Sequence, residues 1–153
     1  MKIRKMVHAD LDEIMKLEVD LFTSPWKREN FTYELEENPF SRLYVMEENN
    51  IIVAYAGLWI IYEKADLTSI AVRKSEQRKG YAKYLLKHLI LEAKSENCEY
   101  LMLEVRVSNI NAQKLYEKFG FIQVGIKKDY YLDNHEDAIA MIKILVGDDD
   151  ARD

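Results

Sequence analysis

The stretch Leu67-Thr-Ser-Ile-Ala-Val-Arg-Lys-Ser-Glu-Gln-Arg-Lys-Gly-Tyr-Ala82 decides the reading of this chain. Leu67 to Val72 read as the end of an apolar strand, the basic residues after them as a loop, and Gly80 as the entrance to an amphipathic helix. Where a strand runs out and a helix begins, unpaired backbone N–H groups and the positive end of the helix dipole converge on one point. Such a point is a cradle for a diphosphate, and Arg73, Lys74, Arg78 and Lys79 add formal positive charge around it.

Working outward, Ile3 to Val7 predict a short strand. Ala9 to Phe22 predict a helix, because Leu11, Ile14, Met15, Leu17, Leu21 and Phe22 recur at helical spacing and acidic residues fill its first turn. Pro25 interrupts, and a second helix from Lys27 to Glu37 stops before Asn38-Pro39. Leu43 to Met46, the Asn49-Asn50 turn and Ile51 to Tyr62 predict a hairpin, followed by a strand from Asp66 to Val72. After Gly80 the stripe Ala82, Leu85, Leu86, Leu89, Ile90, Ala93 predicts a helix to Asn97, with His88 off the stripe and facing solvent rather than binding metal. A strand at Tyr100 to Val105, a helix at Asn111 to Phe119, and strands at Phe121 to Tyr131 and Asp137 to Val146 complete the order β-α-α-β-β-β-α-β-α-β-β. The expected class is α/β (α+β), a central mixed sheet flanked by helices.

The 153 residues suit one domain, expected over 1–147, with 148–153 a solvated acidic tail. No apolar run approaches the ~20 residues that span a bilayer, and Met-Lys-Ile-Arg-Lys is no secretory signal, so a cytoplasmic protein without membrane contact is expected. The net charge of -5 disfavours direct nucleic-acid binding. Cys98 has no partner for a disulfide, reads as a half-buried residue at a helix end, and with three scattered histidines offers no metal site.

Gln77-Arg78-Lys79-Gly80-Tyr81-Ala82 fits Gln/Arg-x-x-Gly-x-Gly/Ala, in which glycine lets the backbone approach a ligand and the small residue lets the helix start pack closely. A basic surface turn before a helix gives the same six residues. Glu104 lies in the apolar strand Tyr100-Leu-Met-Leu-Glu-Val105, on the face of Met102 and Arg106. A carboxylate there is paired, hydrated or functional, and a salt bridge to Arg106 or another base is the structural alternative. Tyr116 falls in an apolar helical stripe where an aromatic ring ordinarily just packs, and Asn109 suits a helix cap.

The loop is joined by Asn109-x-x-Ala112-x-x-Leu115-Tyr116-Glu-Lys-Phe-Gly120-Phe121. Together they resemble the GNAT acyltransferases over essentially the whole chain, and the order of elements matches that fold. Ser24-Pro25-Trp26, Ser69-Ile-Ala-Val72, Leu103-Glu-Val-Arg-Val-Ser-Asn109, Tyr130-Tyr131 and Glu136-Asp-Ala138 narrow the resemblance to the RimI type, the ribosomal-protein-alanine N-acetyltransferases; related N-terminal acetyltransferases share parts of this set. The resemblance implies acetyl-CoA as cosubstrate, without a metal, held by the backbone of Ile70, Ala71 and Val72, by Arg78, Lys79, Gly80, Tyr81, Ala82 and Lys83, and by Asn109. It implies Glu104 as general base and Tyr116 as the acid that protonates the departing thiolate. It also places Trp26, Tyr130 and Tyr131 on a peptide substrate, whose amphipathic rings suit that task.

The expected activity is therefore acetyl transfer to a protein N-terminal amine, the N-terminal alanine of a ribosomal protein or a broader set of N-termini. An α-amine costs only ~1 kcal/mol to deprotonate at pH 7, a lysine ~4.6 kcal/mol, which favours the former without excluding the latter. The alternatives are an acetyltransferase of a small amine or lysine side chain, and a non-catalytic acyl-CoA-binding module. A homo-oligomer and a complex subunit both suit the sequence.

Overall fold

The computed structural model describes residues 1–147; the expected acidic tail lies outside the described residues. The elements are β1 (Lys2–Lys5), a 3-10 turn (His8–Asp10), α1 (Leu11–Leu21), α2 (Arg28–Glu36), β2 (Ser41–Glu48), β3 (Ile51–Ile61), β4 (Lys64–Val72), a 3-10 turn (Lys74–Glu76), α3 (Tyr81–Ser95), β5 (Tyr100–Arg106), α4 (Ile110–Lys118), β6 (Ile122–Lys127) and β7 (Ala138–Ile144). The strands are ordered β1-β2-β3-β4-β5-β7-β6, with β4–β5 parallel and β1–β2, β2–β3, β5–β7 and β6–β7 antiparallel. This is the mixed sheet with helices that the sequence predicts, in the predicted order.

The chain forms two units, each drawn from two separate segments: Met1–Trp59 with Thr68–Leu89, and Ile60–Leu67 with the chain from Ile90 onward. The first is built on β1, β2, most of β3 and the end of β4. Its core gathers Leu11, Ile14 and Leu17 from α1, Phe31 from α2, and Val45 and Tyr55 from the strands. Each such side chain withdrawn from water contributes about 1.5–3 kcal/mol. Gly57 is required by close approach: a Cβ there would lie 2.6 Å from Thr68 Oγ1 and 2.8 Å from Leu43 Cδ2.

The second unit is built on β5, β7 and β6. Leu101, Leu103 and Val105 turn to its buried face, whereas Met102, Glu104 and Arg106 remain half-buried on the other. The β4–β5 ladder joins Lys64, Ala65 and Asp66 to Tyr100, Leu101 and Met102 and ends there.

Three expectations are corrected. Strand β6 stops at Lys127 rather than Tyr131, because Asp129 turns to φ 50° and its N–H donates to Asp137 Oδ1 at 2.9 Å, which draws the chain out of the ladder. His88 does not face solvent: it is half-buried, its ring 4.8 Å from Tyr44 and its Nε2 buried without a hydrogen-bond partner. Cys98 is buried rather than half-buried, with desolvation raising its thiol.

Candidate active site

The second unit gathers Glu104, Tyr116, Tyr130 and Tyr131 with groups the sequence did not single out. Glu104 projects from β5, and its Oε1 accepts from Lys127 Nζ at 2.8 Å and from the Tyr130 hydroxyl at 3.4 Å. The basic partner is thus Lys127 rather than Arg106. Lys127 Nζ also stands 5.3 Å from the centre of the Tyr130 ring, and its ammonium is held in the charged form above the usual lysine range, chiefly by its bond to Glu104. On β4, Asp66 is pushed above the usual carboxylate range by burial, against an opposing pull from Lys64 at 3.3 Å, and the Glu104 charge adds to the rise.

Two residues along the same face, Arg106 fixes the segment after β6. Its guanidinium donates to Asp133 Oδ2 at 2.9 Å and to Asn134 Oδ1 and Glu136 Oε1 at 3.2 Å. The guanidinium carbon lies 3.9 Å over the Tyr131 ring, which meets Tyr130 edge-on at 5.1 Å. Glu136 Oε2 accepts from the Ser108 N–H at 2.7 Å, and Ser108, through its side chain first and its backbone N–H next, holds the carboxyl below the usual range. Burial pushes the Tyr131 hydroxyl up to about 12 despite Arg106, so the ring stays protonated. The pair of tyrosines lies in the connection between β6 and β7, not in the strand expected from sequence.

Tyr116 lies on α4, 5% exposed, its ring 5.7 Å from Phe121, and burial raises its hydroxyl well above the usual tyrosine range. A proton on that oxygen is retained until a strong base appears beside it. Asn109 caps α4, its Oδ1 accepting from the Ala112 N–H at 3.2 Å.

The remaining expected residues belong to the first unit. Ile70, Ala71 and Val72 end β4, and Tyr81, Ala82 and Lys83 open α3. Gly80 adopts φ 86° and Arg78 φ 66°, a pair of left-handed turns that a β-branched residue at 80 would strain. Gln77 Nε2 bonds the Val72 carbonyl at 3.0 Å and Lys79 Nζ bonds Glu76 at 2.7 Å, so the loop is tied at both ends. Two of the four expected cations are committed elsewhere: Arg73 bonds Glu13 at 2.6 Å and the Ile52 carbonyl at 3.0 Å, and Lys74 pairs with Asp20 at 3.5 Å. Trp26 is held by its backbone N–H on Glu18 Oε1 at 2.8 Å, and its ring rests 5.0 Å from Phe31 against the core.

A 15-residue helix beginning one residue after a positive-φ glycine, with Arg78, Lys79 and Lys83 at its entrance, offers the donors a diphosphate takes. The loop thus fits the phosphorylated end of acetyl-CoA. Among the described residues no group of three or more His, Cys, Asp or Glu side chains is placed to hold a metal ion, and no helix is long and apolar enough to cross a membrane.

With sheet, loop and carboxylate in place, comparison with known proteins gives the class. The sequence model of the Acetyltransferase (GNAT) family matches residues 11–121. The chain belongs to that family and is an acetyl-CoA-dependent N-acetyltransferase. It is 39% identical, over 91% of its length and 92% of the relative's, to a Bacillus subtilis (strain 168) protein named as a candidate ribosomal protein bS18-alanine N-acetyltransferase. The crystal structure of the ribosomal-protein-S18-alanine N-acetyltransferase from Escherichia coli superposes with a TM-score of 0.86 at 32% identity, covering 94% of this chain and 93% of that one. A spermidine N-acetyltransferase chimera from Vibrio cholerae and hSSAT shares the fold at a TM-score of 0.82 and 23% identity, with 95% of each chain covered. The fold alone therefore leaves the acceptor amine open.

Proposed function

We propose that this protein is an N-alpha-acetyltransferase that moves acetyl from acetyl-CoA to the α-amine of a protein N-terminus, with the N-terminal alanine of a ribosomal protein as its first candidate substrate. The observation that carries the reading is the grouping of a half-buried carboxylate, Glu104, with an ordered tyrosine pair whose nearer hydroxyl reaches it at 3.4 Å. A carboxylate beside two amphipathic rings suits an extended chain end that presents one amine. The near full-length likeness to alanine N-acetyltransferases points the same way.

Acetyl-CoA supplies an acyl group activated as a thioester. The N–H groups at the start of α3, with Arg78, Lys79 and Lys83, bind its phosphates, and Asn109 adds a contact at the start of α4. Since β4 leaves its ladder after Asp66, four residues before Ile70, the backbone of Ile70 to Val72 is the proposed donor to the acyl oxygen as it gains charge. Glu104 takes the proton from the acceptor amine, directly or through water, and Tyr116 returns one to sulfur. Tyr131, Tyr130 and Trp26 hold the peptide, although the Trp26 ring also serves the core. Neither unit is a continuous stretch of chain, which supports the reading of 1–147 as one catalytic domain.

The test is CoA release with matched peptides beginning Ala, Ser or Met, each paired with an α-blocked copy that carries one free lysine. Transfer confined to open N-termini is expected. Transfer to the blocked copies moves the assignment to lysine side chains, and none to either, with acetyl-CoA still bound, moves it to small amines.

A further inference from the structure

The groups around Glu104 carry an inference about which amine the site accepts. Its oxygen Oε1 is already taken by an ammonium, Lys127 Nζ at 2.8 Å, which also faces the Tyr130 ring at 5.3 Å. The groups facing this point are Asp66 and Lys64 on β4, Glu104 and Arg106 on β5, Lys127 on β6, and Tyr130 and Tyr131 in the turn after it. Arg106 is paired with two carboxylates, Asp133 and Glu136. Beside Glu104 itself, the carboxylates of Asp66 and Glu104 are matched by the two ammoniums of Lys64 and Lys127, so these four groups carry no net charge with which to draw in another cation.

We infer that Lys127 is a specificity-determining residue that selects acceptors arriving as neutral amines and so favours N-terminal α-amines over lysine side chains. The inference rests on the reading of Glu104 as the base. An ammonium entering beside Glu104 meets the Lys127 charge at close range, whereas a neutral amine meets none. At pH 7 about 14% of an ordinary α-amine is neutral, but only about 0.04% of a lysine side chain. With Lys127 in place, that large difference in supply passes directly into the rate. Without it, the bare Glu104 carboxylate attracts both ammoniums and can deprotonate either, which narrows the difference. The balance of the reaction is unchanged: the new C–N bond forms as C–S breaks, the amine's proton passes to Glu104, and the thiolate takes one from Tyr116.

The experiment compares wild type, Lys127→Met and Lys127→Arg on two peptides, one with an open alanine N-terminus and no lysine, the other α-acetylated with a single lysine. It reads kcat/KM by thiol release from pH 6.5 to 9.5, with the acetylated nitrogen located by mass spectrometry. In Lys127→Met the ratio of lysine to α-amine transfer at pH 7 is expected to rise about tenfold, the size expected of one like charge within about 4 Å in a partly solvated site. The acid limb of the α-amine profile is expected to move to lower pH, and Lys127→Arg is expected to restore both. An unchanged ratio, lysine transfer still below detection in Lys127→Met, or a proportional loss on both peptides overturns the assignment and leaves Lys127 as a partner that only holds Glu104. Wild-type transfer confined to lysine overturns the N-terminal reading itself, a result distinct from an unmoved ratio.

Discussion

At the scale of single residues, surroundings set the proposed proton acceptor, Glu104, apart from the proposed donor, Tyr116. Glu104 is half-buried beside a cation, whereas Tyr116 is enclosed, and burial chiefly, with Tyr131 adding to it, raises its hydroxyl well above the usual tyrosine range. Glu104→Gln preserves the shape and the bond from Tyr130 but removes the base. Its rate of transfer is expected to fall about 10²- to 10⁴-fold while the dissociation constant for acetyl-CoA stays within a factor of two. The exposed Lys127 left behind costs little stability, under about 1 kcal/mol. Steady-state kinetics with calorimetric binding of acetyl-CoA checks both halves, and an undiminished rate removes Glu104 from the mechanism. Glu104 stood out in the sequence because a charge interrupted an apolar strand. Its partner did not, since Lys127 is 23 residues away and one of two adjacent lysines in a strand whose end the alternation misplaced.

At the scale of elements, the join of β4 to α3 depends on backbone conformation more than on side chains. Gly80 has open space around it, with Tyr84 Cε2, at 3.9 Å, the nearest atom that an added Cβ would meet, so a larger residue there does not clash; it is disfavoured because φ is 86°. Gly80→Val is expected to cost about 1–2 kcal/mol and to re-aim the first N–H groups of α3. The expected readout is a rise of tenfold or more in the dissociation constant for acetyl-CoA, measured by calorimetry, with only a modest drop in Tm. Unchanged affinity removes the loop from the cofactor site. Periodic elements such as α1, α3 and β5 were legible because burial follows a fixed repeat, and the loop because glycine and a helix start are local signals. The end of β6 and the half-burial of His88 were not, because each is set by a contact outside the local repeat: Asp129 with Asp137 across the connection to β7, and His88 with Tyr44 far back along the chain. Likewise Arg73 and Lys74 were read as part of the basic loop, although the carboxylates that claim them sit on α1.

At the scale of the whole molecule, the ionised side chains make stability depend on acid in a direction that can be worked out. Asp10 accepts both guanidinium nitrogens of Arg4, at 2.7 and 2.8 Å, and the Val7 N–H at 2.8 Å, so Arg4 first and the backbone next hold its carboxyl below the usual value of 3.8. Asp137 and Glu136 are lowered too, by the Asp129 N–H and by Ser108. For each, the unfolded chain binds the proton first, so the stabilisation is complete well above the unfolded value and is lost as pH falls through the lower folded one. Asp66 runs the other way: raised by burial, it opposes folding at neutral pH and is relieved as it protonates. Because the lowered groups act only below their unfolded values and Asp66 acts above its own, the urea midpoint is expected to hold or rise slightly from pH 7 to about 5 and to fall below about pH 4. Asp10→Asn removes one buried charge that accepts two bonds from Arg4 and leaves Glu47 as the carboxylate paired with Arg4, so it is expected to lose about 2–3 kcal/mol at pH 7. The same variant should lose less at pH 3, below the usual carboxyl value of 3.8, where the unfolded wild-type chain has taken up the proton and the charge contributes less. Urea titrations of both proteins at pH 7, 4 and 3 check this, and curves that stay a constant distance apart at all three would mean that Asp10 stabilises by shape and hydrogen bonding rather than by charge.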